Sequence, residues 1–255
     1  MDFLLAQDYA TSLFLHVARV GAFMAVVPLF GRQMDSMILR LVLAISLGGV
    51  FWWVGDQRVP TPTGMFELGV MAIRECIVGI ALGFALSTMT SLLVSAGEII
   101  SSEMGFSMAR TMNPESGTDA TVVSQLLQVV GFLMILQLNL HHEALRVLEQ
   151  TFQSCKVGEP FAFEPIWAGL NVLVAGSVQL SLQYAFPILG TMLLLSVAMV
   201  LLGRAVPAIN MQEFGFALRV LLALGAMAYF LVEGAPFLVN TFESLLDGAR
   251  DMFPV

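Results

Sequence analysis

The sequence predicts an all-α integral membrane protein, and three observations predict it. Asp, Glu, Lys and Arg make only 12% of the 255 residues. An ordinary soluble domain carries about 25%, so there is too little charge here to cover a water-facing globule. Hydrophobic residues make 58% of the chain and mean hydropathy is +0.85. They gather in six apolar stretches. Backbone groups in lipid must be satisfied within the segment, so these stretches are helices, and the alternation of a β-barrel is missing. The composition argues against a soluble enzyme, a nucleic-acid binder and a disordered chain. No composition shift marks a soluble domain, so residues 1–255 read as a single membrane domain.

The elements follow in order. The first stretch, 9–30, ends near Pro28, and the second, 38–54, is short. The third, 68–96, is uncharged from Cys76 to Gly97, and the fourth, 121–140, has no charge. The fifth, 166–202, lies in an uncharged tract from Pro165 to Gly203. A bilayer core needs roughly 20 apolar residues per helix, and this stretch has nearly double that. It either forms a hairpin near Pro187 or runs on as one helix beyond the membrane within a protein jacket; Pro187 and Gly190 supply a kink or break. The sixth, 216–239, is interrupted by Gly225 and Pro236. Segment 143–155 is amphipathic, with Leu145, Leu148, Phe152 and Cys155 on one side. It reads as a helical continuation of the fourth stretch.

Charge placement gives a mixed topology signal. The first ten residues hold Asp2 and Asp8 but no Lys or Arg. A secretory signal needs a basic start, so insertion through uncleaved helices is expected. Arg32 and Arg40 after the first stretch favour an outside N-terminus, but Arg146 and Lys156 then fall on the wrong side if every stretch spans once. The net charge of -8 forms no run, and ten of the eleven basic residues are Arg. Cys76 and Cys155 form no spacing motif.

Several residues stand out against the apolar background. Arg19 sits mid-stretch, with His16 one turn earlier on the same face. An Arg at a helix centre costs roughly 2.5–3.5 kcal/mol on insertion scales. Either the true span is short and Arg19 marks an interface, or the helix packs inside protein. Arg219 and Glu233 pose the same question near one face of the sixth stretch. Gly79 and Gly83 form a small-xxx-small pair, extended by Ser87, Ser91 and Ser95, that suits close helix packing. Ser177, Ser181 and Tyr184 share a face, fit for interhelical hydrogen bonds or for a polar conduit. His141-His142 cannot form a joint metal face, since adjacent helical residues diverge by about 100°. No nucleophile, base and orienter set is visible, so neither catalysis nor a cofactor or metal site is expected.

The most informative piece is the linker 105–120, GFSMARTMNPESGTDA. Long loops are uncommon unless functional. Asn113-Pro114 and Ser116-Gly117 are turn signals, and Asp119 is a candidate N-cap for the fourth helix. The front half is apolar, with Phe106, Met108, Ala109 and Met112, and methionine adapts to irregular cavities.

These motifs resemble the FliR family, flagellar type III export-gate subunits, with SctT-type injectisome proteins as relatives. The matches are Arg19-Val-Gly-Ala-Phe-Met with Pro28, Gly31 and Arg40; Glu98 and Glu103-Met-Gly-Phe-Ser-Met-Ala109 with Asn113, Pro114 and Gly117; Asn139-Leu-His-His142 with Thr151-Phe152 and Pro160; and Pro187, Gly203-Arg204, Pro207, Asn210, Gly215-Phe216 and Arg219. Departures are Glu103, where the family usually has Gln, and Asn113 and Leu140, where it often has Asp and Gly.

The resemblance implies helical hairpins packed within a hetero-oligomeric export gate at the bacterial inner membrane, in the flagellar basal body, projecting to the periplasmic side. It implies FliP-type and FliQ-type partners, an FlhB-type switch protein, membrane lipid and unfolded export substrates, with no nucleic acid. It further implies that the loop projects into the export pore as a plug, carried by Phe106, Ser107, Met108, Arg110, Met112, Asn113, Pro114 and Gly117. An apolar constriction excludes water and prevents proton leak, which suits Phe106, Met108 and Met112. Arg19, Gly79, Gly83, Glu98, Glu103, Asn210, Arg219 and Glu233 are expected in helix packing or as buried polar groups. The rival readings are an injectisome gate subunit, a small-solute secondary transporter and a scaffold that only nucleates the ring.

Overall fold

A computed structural model describes residues 2–27, 37–55, 59, 62, 64–105, 121–205 and 211–253, without the side chains of 2–7 and 211–214. Eight helices occupy the described residues: α1 (Asp2–Val26), α2 (Met37–Gly55), α3 (Met65–Met104), α4 (Val122–Gln137), α5 (Leu140–Ser154), α6 (Phe163–Ala205), α7 (Met211–Glu233) and α8 (Ala235–Asp251). The all-α membrane class is therefore observed. Five helical segments are long and apolar enough to cross a membrane: 8–26, 37–55, 65–104, 163–205 and 215–233, or up to six if α4 and α5 count together.

The long tract resolves into one helix. α6 runs 43 residues with Pro187 inside it. At 1.5 Å per residue that is roughly 65 Å, about twice a hydrocarbon core. Proline costs about 3 kcal/mol in a helix interior, but Ala185 and Ile188 beside it are fully buried, so packing carries the helix through. α3 also exceeds its expected span, starting at Met65 and ending at Met104. It takes in Glu67, Glu98 and Glu103, charges that lie beyond the expected span.

Two expected continuities are corrected. Segment 143–155 is helical but does not continue α4, because α4 and α5 meet at a 71° bend. Asn139 there has φ 56, the left-handed conformation that a short polar side chain tolerates. The buried stripe of α5 is Leu140, Ala144, Val147, Leu148, Thr151 and Phe152; Leu145 and Cys155 are only half-buried. In the sixth stretch Gly225 does not interrupt α7, since a lone glycine costs only about 1 kcal/mol there. The break falls at Gly234, where an added Cβ would lie 2.5 Å from the Phe230 carbonyl oxygen. Pro236 occupies the first turn of α8, where its missing N–H is not needed.

The chain forms two compact units. The first comprises Met1–Met89, Ile135–Ala175 and Ser244–Val255. Leu15, Val20, Phe23, Val78, Leu82, Leu148, Leu246 and Phe253 are among its buried side chains. Glycines set its helix spacing: a Cβ on Gly48 would lie 2.9 Å from Val17 Cα, and one on Gly79 would lie 2.3 Å from the Arg19 carbonyl oxygen. The amphipathic helix α5 and the C-terminal part of α8 join through Glu143, which accepts from Arg146 and Arg250. The second unit comprises Thr90–Met134 and Gly176–Glu243, with Leu92, Leu93, Ile100, Leu127 and Ile188 buried.

Candidate functional site

The first site is a buried charge cluster in the first unit. Arg19 and Glu75 are 1% and 2% exposed, with Arg19 Nε 2.6 Å from Glu75 Oε2. A buried charge is tolerable only when paired and hydrogen-bonded. Arg19 meets both conditions: Nη1 donates to the Thr151 carbonyl at 2.8 Å and Nη2 to the Cys155 carbonyl at 2.8 Å. The other Glu75 oxygen accepts the Gly158 N–H at 2.9 Å. Gly158 has φ +80, and a Cβ there would lie 2.7 Å from Val59 Cγ1. The guanidinium carbon stands 4.5 Å from the Phe152 ring centroid, a cation–π contact. The His16 ring stacks on Phe152 at 5.0 Å.

One guanidinium therefore joins α1, α3, the end of α5 and, through Glu75, the turn before α6. Arg19 packs inside its own chain. Glu75 is the residue that sequence reasoning missed. The available signal was a charge balance, because a guanidinium buried in one apolar helix calls for a carboxylate buried in another.

The second site is the end of α4 from which residues 106–120 depart, in the second unit. Those residues, with Phe106, Ser107, Met108, Arg110, Met112, Asn113, Pro114, Gly117 and Asp119, lie outside the described residues, as does Asn210. The cap described for α4 is Thr121, whose Oγ1 accepts the Ser124 N–H at 3.3 Å. Glu98 adds a second cap from α3. Its Oε1 accepts the Thr121 N–H at 2.9 Å and the Ser124 hydroxyl at 2.7 Å. A carboxylate at a helix N-terminus satisfies unpaired donors and complements the helix dipole. Gly97 permits this approach, since a Cβ there would lie 2.4 Å from Ser124 Cα. On the other side Gly105, φ +87, ends α3 and faces Phe216.

The remaining predicted residues distribute as follows. Gly79 and Gly83 form a close seam with α1, a Cβ on Gly83 standing 3.0 Å from the Phe23 carbonyl oxygen. The seam does not extend along Ser87, Ser91 and Ser95; Ser91 and Ser95 are exposed. Ser177, Ser181 and Tyr184 are buried on one face of α6. Arg219 is half-buried, while Glu103 and Glu233 are exposed. Cys76 and Cys155 are free thiols.

A family model described as bacterial export proteins, family 1, matches residues 10–248. A flagellar biosynthetic protein FliR from Caulobacter vibrioides is 28% identical over 242 residues, covering 94% of this chain and 96% of that protein. The Escherichia coli protein of the same name is 29% identical over 244 residues, covering 94% and 91%. The Bacillus subtilis one is 25% identical over 255 residues, covering 96% and 95%.

Proposed function

Because the chain belongs to the bacterial export proteins, family 1, in its FliR group, we propose that it forms part of the protein-conducting channel of the flagellar type III export gate. It is a component of the flagellar export apparatus in the inner membrane. In this reading residues 1–255 work as one membrane domain that projects to the periplasmic side. It assembles with FliP-type and FliQ-type subunits and an FlhB-type switch protein around unfolded export substrates.

The observation that carries the reading is the braced exit of the 106–120 segment. Glu98 and Thr121 cap α4 where that segment joins it. A segment rich in Phe106, Met108 and Met112 held at a fixed point suits a plug that excludes water from a resting pore. Ser107, Arg110, Asn113, Pro114 and Gly117 belong to the same proposed plug, with Asn113-Pro114 a turn signal in the sequence.

The transporter reading loses its main support here. Arg19 has its partners within its own chain, so it needs no solute or ion to satisfy it. The relatives' flagellar names favour the flagellar over the injectisome assignment.

The test is ion conductance of the assembled complex. Met108→Gly with Met112→Gly is expected to raise resting leak while leaving assembly intact. Unchanged conductance, with the segment shown by cross-linking to line the pore, removes the sealing role. Deleting 106–120 separates a plug from a pure scaffold, because a scaffold stays ion-tight.

A further inference from the structure

The turn between α5 and α6 frames a cavity of about 340 Å³. Small-ligand pockets run from roughly 300 to 1,000 Å³, so this one suits a compact group. One wall is apolar, built by Phe161, Ile166 and Met252. The rim carries Lys156, the only lysine in the chain, and Glu159.

These two charges are opposite, three residues apart and exposed. They line the same cavity, yet no ion pair ties either to the other or to any residue among those described. In the same unit Glu143 pairs with Arg146 and Arg250 and so is not available to Lys156 or Glu159. Two unlike charges beside an apolar wall match a zwitterion attached to something apolar.

The start of α6 sets the depth of the cavity. Phe163 and Trp167 are 51% and 57% exposed, with ring centroids 6.3 Å apart. From Pro165 to Gly203 the helix carries no charge. Exposed aromatic rings at the end of an apolar helix mark the boundary between water and hydrocarbon. Such a boundary at the start of α6 would put the neighbouring cavity at head-group level.

We propose that this cavity binds the zwitterionic head group of a membrane lipid of the phosphatidylethanolamine type. The phosphate lies against Lys156, the ammonium against Glu159, and the glycerol end against Phe161 and Ile166. A primary ammonium donates hydrogen bonds to a carboxylate, and a quaternary one cannot. An anionic lipid lacks the cation for Glu159 and is repelled by it. The site therefore selects phosphatidylethanolamine over phosphatidylcholine and over phosphatidylglycerol.

Native mass spectrometry of the full chain in detergent, with the three lipids supplied at equal acyl composition, tests this. One phosphatidylethanolamine is expected to be retained, about ten-fold above either competitor. Lys156→Ala and Glu159→Ala should each abolish that preference. The isosteric Lys156→Gln and Glu159→Gln variants carry the test if the alanine variants lose their helical circular dichroism. Equal retention of phosphatidylethanolamine and phosphatidylglycerol overturns the proposal, as does an unchanged preference in the double variant. Displacement of the lipid by excess free phosphoethanolamine also overturns it, by making the ligand a soluble zwitterion. None of these outcomes depends on export activity.

Discussion

α3 carries two carboxylates that tie it to neighbouring helices by different physics. In the first unit Glu75 is nearly inaccessible and neutralises the buried guanidinium of Arg19. In the second unit Glu98 is half-buried and meets the N-terminus of α4, whose partners are a peptide N–H and a hydroxyl. A formal charge out of water demands a formal countercharge. A helix end needs only an acceptor, and water can supply one. The first carboxylate is therefore a condition of folding, while the second fixes where a segment leaves the helix.

The largest expected effect breaks the charge pair. Arg19→Met or Glu75→Gln leaves a buried group without its partner and should cost about 3–5 kcal/mol. The double variant Arg19→Met, Glu75→Leu should recover most of that loss. Thermal unfolding in detergent checks both. A double variant as unstable as the singles would show that the hydrogen bonds to Thr151, Cys155 and Gly158, rather than the charges, hold the first unit.

Next come the glycine seams, which contrast backbone against open space. Gly79→Ala puts a Cβ 2.3 Å from a backbone oxygen and Gly97→Ala puts one 2.4 Å from Ser124 Cα. Overpacking of this kind costs about 1–3 kcal/mol. Gly225 has nothing within 4 Å, so Gly225→Ala should stabilise α7 by up to about 1 kcal/mol. A common sign for all three in unfolding experiments would contradict the close approach.

A smaller effect is expected at the cap. Glu98→Ala should cost about 1 kcal/mol, the usual worth of a helix cap. Hydrogen exchange should quicken at the Thr121 and Ser124 amides, with Glu98→Gln intermediate because it keeps an acceptor. Faster exchange in the first unit instead would erase the contrast between the two carboxylates.

The smallest concerns Cys155, at the C-terminal end of α5. Burial raises its thiol above the ordinary value, with the Arg19 charge pulling the other way. Only the thiolate reacts with maleimide. In a Cys76→Ala variant, labelling should be slow at neutral pH and should rise only beyond the usual thiol range. Labelling at neutral pH as fast as in the unfolded chain would show that the turn beside the charge cluster is open.

Much of the fold was legible locally. The apolar stretches mark α1, α2, α4, α6 and α7 because hydropathy is a property of the segment itself. α8 was missed because it is amphipathic, with Leu238, Phe242, Leu245 and Leu246 buried and Glu243 and Asp247 exposed. The bend at Asn139 was missed because a left-handed residue leaves no hydropathy trace. Of the candidate site, Arg19 was readable as a charge out of keeping with an apolar helix, Gly79 and Gly83 as a small-residue pair, and Glu98 through the family motif. Glu75 was not, since its importance lies in a contact 56 positions away.

Composition alone dictated a helical membrane protein with an arginine that could not remain in lipid unaided, because solvation cost and backbone hydrogen bonding act residue by residue. Which carboxylate would answer that arginine, whether Pro187 would break α6, and which acceptors would cap α4 were settled by packing. Those outcomes depend on side chains distant in sequence meeting at distances of a few ångströms, and no local pattern records such meetings.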